Sequence, residues 1–321
     1  MTAGPRRRTR PHVSPVRVVL AVLLVAAVLV AGFAVWTVWP LTNTSAGVIP
    51  PGMAVTGGAP AKGAGGMAPL SATHMTTRPI AGVHVAAGVV VDATTGAVFW
   101  AVRPHEPRPV ASLTKLMTAL VVLQKGAIKG SFRVTPAMTH VSGYTIGLRA
   151  GQVVRARDVL AGALIASGND AANALAVHAA KSIPAFVADM NHEAKALGLH
   201  STRYSNPSGI IDAGNRSSAW DVAQLSRIVL THARIAGLLQ TKAYTPANGA
   251  DYVNRNQLLW DYTGAIGLKT GFTTGSGPSI DAAATRNGHT VIAVALDVTG
   301  NEFETAARML DWGFARIGHQ S

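Results

Sequence analysis

Strand-forming sequence stands near both ends of the C-terminal three quarters of this chain, with helix-forming sequence between. Val83 to Asp92 is valine-rich and partly alternating, Ala93-Thr94-Thr95-Gly96 reads as a turn, and Ala97 to Ala101 returns as a second strand. Far downstream, Ile266 to Phe272, Ser279 to Arg286 and His289 to Asp297 are strand-like, and Asn287-Gly288 is a type I′ hairpin signal. Between them, Ser112 to about Leu123 reads as a helix ended by Gly126, and Asp158 reads as the cap of a helix through Ile165. A new helix begins at Asp170, Pro184 to Leu197 is another, and Ser217-Ser218 cap Ala219 to Thr231. Phe132 to Val134 and Thr145 to Leu148 read as short strand or loop pieces, and Glu302 to Phe314 as a closing helix. This order predicts an α+β fold: one antiparallel sheet assembled from both chain ends, covered by a helical group.

The N-terminal quarter has a different character. Arg6, Arg7, Arg8, Arg10, Arg17, Lys62 and Arg78 precede residue 84 with no acid among them. The remaining chain carries 28 − 7 = 21 basic and 15 acidic residues, so half of the net charge of +13 lies outside the globular part. No basic-aromatic pattern of a nucleic-acid fold accompanies it, and no nucleic-acid partner is expected. Residues 1–17 form a basic segment, and Val18 to Val38 is a run of 21 uncharged residues with Trp36 and Trp39 at its far end. That run is longer than a cleavable signal core and long enough to cross a bilayer. Arginines before it and none just after place the N-terminus in the cytoplasm and the rest outside. The expectation is a single-pass signal anchor over 18–39 in the cell membrane, with Thr44-Ser45-Ala46 as the cleavage point of the alternative, a secreted protein. Residues 40–83, rich in Gly, Ala, Pro and Thr and without periodicity, read as a flexible tether, leaving 84–321 as the folded domain. The absence of cysteine removes thiol chemistry and disulfides.

Ser112 and Lys115 stand three apart at the start of the first helix, so hydroxyl and amine share a face, near backbone N–H groups that favour developing negative charge. A serine nucleophile with a lysine base needs that arrangement; a capping serine and a surface lysine look the same in isolation. Two further motifs follow in order, Ser167-Gly168-Asn169 between helices and Lys269-Thr270-Gly271 on a strand. Ser-x-x-K, Ser-x-Asn and Lys-Thr-Gly in those contexts are the pattern of penicillin-binding proteins and serine β-lactamases.

Arg108 to Leu120 resembles the active-serine segment of the low-molecular-mass penicillin-binding proteins, the D-alanyl-D-alanine carboxypeptidases. Phe186 to Asn191, Leu197-Gly198-Leu199, Tyr204 to Gly209, Gly267 to Thr273 and Leu310 to Phe314 are similar to that family as well, in one collinear pass over roughly 84–317. The resemblance implies a β-lactamase/transpeptidase-like fold and a serine peptidase that removes the terminal D-alanine of peptidoglycan stem pentapeptides through an acyl-serine. β-Lactam antibiotics would be covalent inhibitors, and neither cofactor nor metal is implied. Ser112 would be the nucleophile, Lys115 the general base and Lys269 a second cation that lowers the Lys115 pKa. Ser167 would bridge the lysines and return the proton to the leaving amine. Asn169 would hold the substrate amide, Thr270 with Lys269 its carboxylate, and Gly271 its backbone. The N–H groups of Ser112 and Phe272 would form the oxyanion hole.

Two departures stand out. Gly168 replaces an alanine common in the family, with little effect expected, and the arginine often found near the start of the closing helix is replaced by Asn301-Glu302-Phe303-Glu304. Arg286 is a candidate substitute. A serine β-lactamase, a D,D-endopeptidase and a non-hydrolytic β-lactam or peptidoglycan-binding module share the motifs. A β-lactamase needs an acid for deacylation, and none of Glu106, Glu193, Glu302 and Glu304 lies shortly before the Lys-Thr-Gly strand. His192-Glu193 lacks the second histidine of a zinc peptidase, and no Gly-x-Ser-x-Gly occurs.

Overall fold

Both ends of the globular region meet in a single five-stranded sheet. The computed structural model describes residues 67–73, 75–210, 214–247, 249 and 251–317. The basic segment 1–17, the expected membrane span 18–39 and most of the tether therefore lie outside the described residues. Strands β1 (Val85–Asp92), β2 (Val98–Val102), β3 (Ala265–Gly271), β4 (Ser279–Arg286) and β5 (His289–Val298) are arranged β2-β1-β5-β4-β3, every pair antiparallel. The β4–β5 hairpin turns at Asn287 and Gly288 with φ of 51° and 80°, the left-handed pair that a type I′ turn requires. β3 is an edge strand, and its outer side is where the three motifs converge.

One face of the sheet carries the helical group: α1 (Thr114–Gln124), α2 (Ala156–Leu164), α3 (Asn169–Ala180), α4 (Ile183–Ala196), α5 (Ala219–Thr231) and α6 (Ala233–Gln240). Leu116, Leu120, Leu164, Leu175, Phe186 and Val229 are buried there against Val89, Val91 and Val294. Ser182 caps α4 by accepting from the Ala185 N–H, and Ser218 caps α5 by accepting from Asp221. Asp158 differs from its expected capping role. α2 starts two residues earlier, and the carboxylate accepts from Tyr244 Oη at 2.6 Å and the Ala247 N–H at 3.0 Å.

The other face is covered by α7 (Glu302–Ile317), which buries Ala306, Met309 and Leu310 against Val90, Val291 and Ala293. Gly313 permits this closeness, because a Cβ there would meet Val90 Cγ1 and Val291 Cγ1 at 2.7 Å. Each large apolar side chain so buried contributes roughly 1.5–3 kcal/mol.

The tether ends earlier than its composition predicted. Residues 67–73 and 75–83 run along β2, with Ser71 bridging Ala97 and Thr76 bridging Trp100, and with Leu70 and Ile80 buried. Arg227, 1% exposed, donates to Ala68 O at 2.7 Å and Ala93 O at 2.8 Å, and Trp100 Nε1 donates to Arg78 O at 2.9 Å. Two apolar anchors ten residues apart suffice to dock the segment, and a compositional average over forty residues conceals them.

Candidate active site

Ser112 sits in a 3-10 turn, Ala111–Leu113, that feeds directly into α1. The turn is pressed between two glycines. Gly209, at φ 80°, approaches so closely that a Cβ would fall 1.8 Å from Ala111 O. Gly271, at the end of β3, would place a Cβ 3.0 Å from Val110 O and 3.2 Å from Ser112 N. The last residue of the Lys-Thr-Gly motif is thus small because the edge strand abuts the backbone at Ser112.

One turn along α1, Lys115 is completely buried. Its Nζ lies 2.8 Å from Ser112 Oγ, 2.7 Å from Asn169 Oδ1 and 2.8 Å from Ser208 O. All three neighbours are neutral. A neutral amine has two N–H donors and one lone pair, so it can donate to Asn169 and Ser208 while the Ser112 hydroxyl donates to the lone pair. Burial pushes the Lys115 pKa well below its ordinary value, and the charges of Lys269 and Arg255 push it further.

The opposing charge is Asp170, which the sequence alone did not bring near Lys115. Its carboxylate accepts from the N–H groups of Ile146, Leu148 and Ala171 at 2.8, 2.9 and 2.8 Å. Three amide dipoles stabilise the anion and blunt its pull on the lysine proton. They also fix the 142–148 loop over the site, where Asn169 Nδ2 donates to Ser142 O at 2.9 Å. The expected strand or loop piece at Thr145 to Leu148 is this loop. The Ser208 carbonyl explains Tyr204 to Gly209: Asn206 Oδ1 accepts from the N–H groups of Ser208 and Gly209, aiming that carbonyl at Lys115.

Lys269 on β3 is 2% exposed, its Nζ donating to Thr270 O at 3.1 Å, and burial with the Arg255 charge lowers its pKa to about 7. Ser167 occupies the α2–α3 junction at φ 65°. The hydrogen bonds of the two lysines do not run through it, so the bridging expected of Ser167 is not made in this structure. Thr270 is half-buried, whereas the Phe272 side chain is 66% exposed at the site's rim.

The family profile described as D-alanyl-D-alanine carboxypeptidase matches residues 73–300. The chain belongs to that family. It is 36% identical over 248 residues to the D-alanyl-D-alanine carboxypeptidase DacD of Salmonella typhimurium, covering 72% of this chain and 63% of that protein. It therefore spans less than two thirds of the length of that relative. Among solved structures it is similar to the D-alanyl-D-alanine carboxypeptidase of Mycobacterium tuberculosis, with TM-score 0.70 and 30% identity over 74% of this chain and 94% of that one. Penicillin binding protein 6B of Escherichia coli matches with TM-score 0.70 and 33% identity, over 76% and 81% of the two chains.

Against this family frame, Arg286 is not the substitute for the missing arginine. It pairs with Asp311 at 3.0 Å, its guanidinium lies over the Tyr262 and Phe314 rings, and it stands at the opposite end of β4 from Ser279, the partner of Gly271. Seven strand steps put it roughly 20 Å from the motif. Arg255 is instead the arginine whose charge reaches the two lysines. It donates to Ala166 O at 3.0 Å, stacks 3.9 Å over Tyr144 and acts on both lysines. Sequence reasoning passed it over because it lies in a loop with no motif of its own; Asn254-Arg255-Asn256 ahead of the strand was its only signal.

Gly168 is also less neutral than expected, since a Cβ there would sit 2.8 Å from Ile146 Cγ2. The four glutamates stand elsewhere: Glu106 pairs with Arg108 and Arg103, Glu193 accepts from Gln124, and Glu302 and Glu304 open α7.

Proposed function

We propose that this chain is a serine D-alanyl-D-alanine carboxypeptidase that acylates Ser112 with a peptidoglycan stem peptide, expels the terminal D-alanine and hydrolyses the ester. The observation that carries the reading is Lys115: an amine whose three hydrogen-bond neighbours are all uncharged, fully buried and 2.8 Å from the nucleophile's oxygen. It takes the Ser112 proton as the oxygen attacks the carbonyl. The N–H groups of Ser112 and Phe272 receive the oxyanion, a contribution worth several kcal/mol. Ser167, at the mouth of the α2–α3 junction, delivers the proton to the departing amine once substrate draws the two lysines' hydrogen bonds together. Asn169, clamped between Lys115 and the 142–148 loop, holds the substrate amide. Lys269, Thr270 and Arg255 hold the terminal carboxylate, and Gly271 admits the substrate backbone. Water then attacks the ester with Lys115 again as base.

No glutamate stands where it would drive rapid deacylation, which favours a peptidase trapped by β-lactams over a β-lactamase. The chain acts outside the cytoplasm, held at the membrane by residues 18–39, with its peptidoglycan substrate in the wall it faces.

The experiment is to incubate the purified chain with fluorescent penicillin and, separately, a muramyl pentapeptide. Labelling that maps to Ser112 and disappears in Ser112→Ala, together with release of one D-alanine, is expected. A label elsewhere, or one that persists in Ser112→Ala, contradicts the assignment, and labelling without D-alanine release makes the protein a binding module. Protease protection of residues 1–17 in sealed cells is expected for the anchored topology.

A further inference from the structure

Asn215 is a buried amide beside the active-serine helix that the mechanism above does not use. Arg216 and Ser217, which follow it, pair in antiparallel register with Pro109 and Arg108, the stretch that leads to Ser112. The Asn215 side chain is 1% exposed. Its Oδ1 accepts from the N–H groups of Ser205 and Asn206 at 2.7 and 3.0 Å and from Ser205 Oγ at 2.7 Å. A backbone N–H can only donate, so these contacts fix which end of the amide is the oxygen. The Nδ2 then donates to Asn206 O at 2.9 Å and to Thr114 Oγ1 at 3.1 Å. One side chain thus ties the backbone of Ser205 and Asn206 to the first residue of α1.

The tie holds the turn over 206–209. Asn206 Oδ1 accepts from the N–H groups of Ser208 and Gly209 at 3.0 and 2.7 Å, Pro207 O accepts from Thr118 Oγ1 at 2.6 Å, and Ser208 O accepts from Lys115 Nζ at 2.8 Å. Gly209 lies against Ala111 O. Ala111, Thr114, Lys115 and Thr118 stand at i, i+3, i+4 and i+7, one stripe of the serine turn and the helix it feeds. The turn lies along that stripe, and Asn215 pins the end of it where the chain enters.

The carbonyl so placed acts on Lys115 in two ways. A neutral amine that donates to Asn169 Oδ1 and Ser208 O has its lone pair left for the third neighbour, Ser112 Oγ. An ammonium draws more from the same carbonyl, because a hydrogen bond to the charged form favours that form. The charges that act on Lys115 are Lys269 of β3, Asp170 of α3 and Arg255 of the loop before β3. The acids of the other elements packed on α1 are engaged elsewhere: Asp158 of α2 with Tyr244, Asp189 and Glu193 of α4 with Lys125 and Gln124, and Asp221 of α5 with Ser201 and Thr202. Asn215 carries no charge, so replacing it with a neutral residue leaves this field in place and releases only the turn.

We propose that Asn215 is a positioning residue that aims the Ser208 carbonyl at Lys115 and so directs the lone pair of the base toward Ser112. It touches neither substrate nor serine and acts through the 206–209 turn. It rests on the role given to Lys115 under the proposed function.

The test is the pH dependence of the acylation rate of the full chain by fluorescent penicillin, per folded molecule, from about pH 5 to about pH 10. Asn215→Ala frees the turn. Its plateau rate is expected to fall about tenfold, within the hundredfold that a 1 Å misplacement costs. Its acid limb is expected to move to lower pH, because the ammonium loses an acceptor and gives up its proton more readily. Thr114→Val keeps the shape of α1 and removes only the acceptor for Asn215 Nδ2. It is expected to produce both changes by less, and if Asn215→Ala does not fold this variant decides alone. An acid limb at the wild-type position or moved upward overturns the proposal, since a merely loosened helix slows acylation or wets the amine without taking its acceptor away. A plateau at the wild-type rate overturns it as well. In each case a wild type labelled at Ser112 leaves the functional reading standing, whereas a wild type that labels at no pH overturns that reading and this proposal with it.

Discussion

The two faces of the sheet are built from the same kinds of strand residue and put to opposite use. Under α7, Val90, Ala282, Val291 and Ala293 meet Ala306, Met309 and Leu310, and the charged pair Arg286–Asp311 stays at the rim. On the helical face, the core made by Leu116, Leu120 and Val294 surrounds Lys115, Asp170, Lys269 and Asp281, all nearly or wholly buried. A buried amine or carboxyl costs several kcal/mol unless it neutralises or is compensated by dipoles. Asp170 is compensated by three amides, whereas Lys115 and Lys269 respond by giving up proton affinity. One face is packed for stability. The other gives stability away to bury ionisable groups, as the proposed base requires.

The sharpest way to break that contrast is to replace Lys115. Lys115→Met fills the same slot without the amine, and acylation is expected to fall by roughly 10²–10⁴-fold, the range of a positioned general base. The same variant is expected to melt higher. A lysine whose folded pKa is depressed binds fewer protons folded than unfolded, so its penalty is largest below the folded pKa and fades as pH rises toward the ordinary lysine value. The gain in melting temperature of Lys115→Met therefore shrinks on the alkaline side, which calorimetry at two pH values reads directly. A smaller effect is expected from Lys269→Met. Losing that cation relieves Lys115, raises its pKa and moves the acid limb of the acylation profile upward, while ligands with a terminal carboxylate bind more weakly.

How far these features could be read in advance follows the same division. The apolar runs of β1, β4 and β5, the Asn287-Gly288 turn and the Ser218 cap of α5 are local signals, and the elements formed where those signals stood. The Ser-x-x-Lys, Ser-x-Asn and Lys-Thr-Gly motifs were legible because the chemistry proposed for them dictates residue type and spacing together. Asp170, Arg255 and the Ser208 carbonyl were not, because each acts through a contact between residues distant in sequence. Arg286 misled for the same reason: its distance from the motif along the chain says nothing about which end of β4 it occupies. The docking of residues 67–73 and 75–83 escaped because two buried side chains, Leu70 and Ile80, are too few to make a period.

The smallest expected effect on activity comes from the other face. Leu310→Ala removes a fully buried side chain from the α7 layer and is expected to lower stability by about 2–4 kcal/mol, measured by urea unfolding. The acylation rate of the folded fraction is expected to stay at the wild-type value. If acylation falls in proportion to that of Lys115→Met, the two faces are not functionally separate.

The most direct measurement is the titration of the Lys115 amine itself. In protein carrying isotope-labelled lysine, the Lys115 resonance, assigned by its loss in Lys115→Met, is followed by NMR as the pH is raised. A transition displaced well below the ordinary lysine value of about 10.4 is the predicted result. A Lys115 that titrates with the surface lysines is a charged side chain at rest, and contradicts its assignment as the base for Ser112.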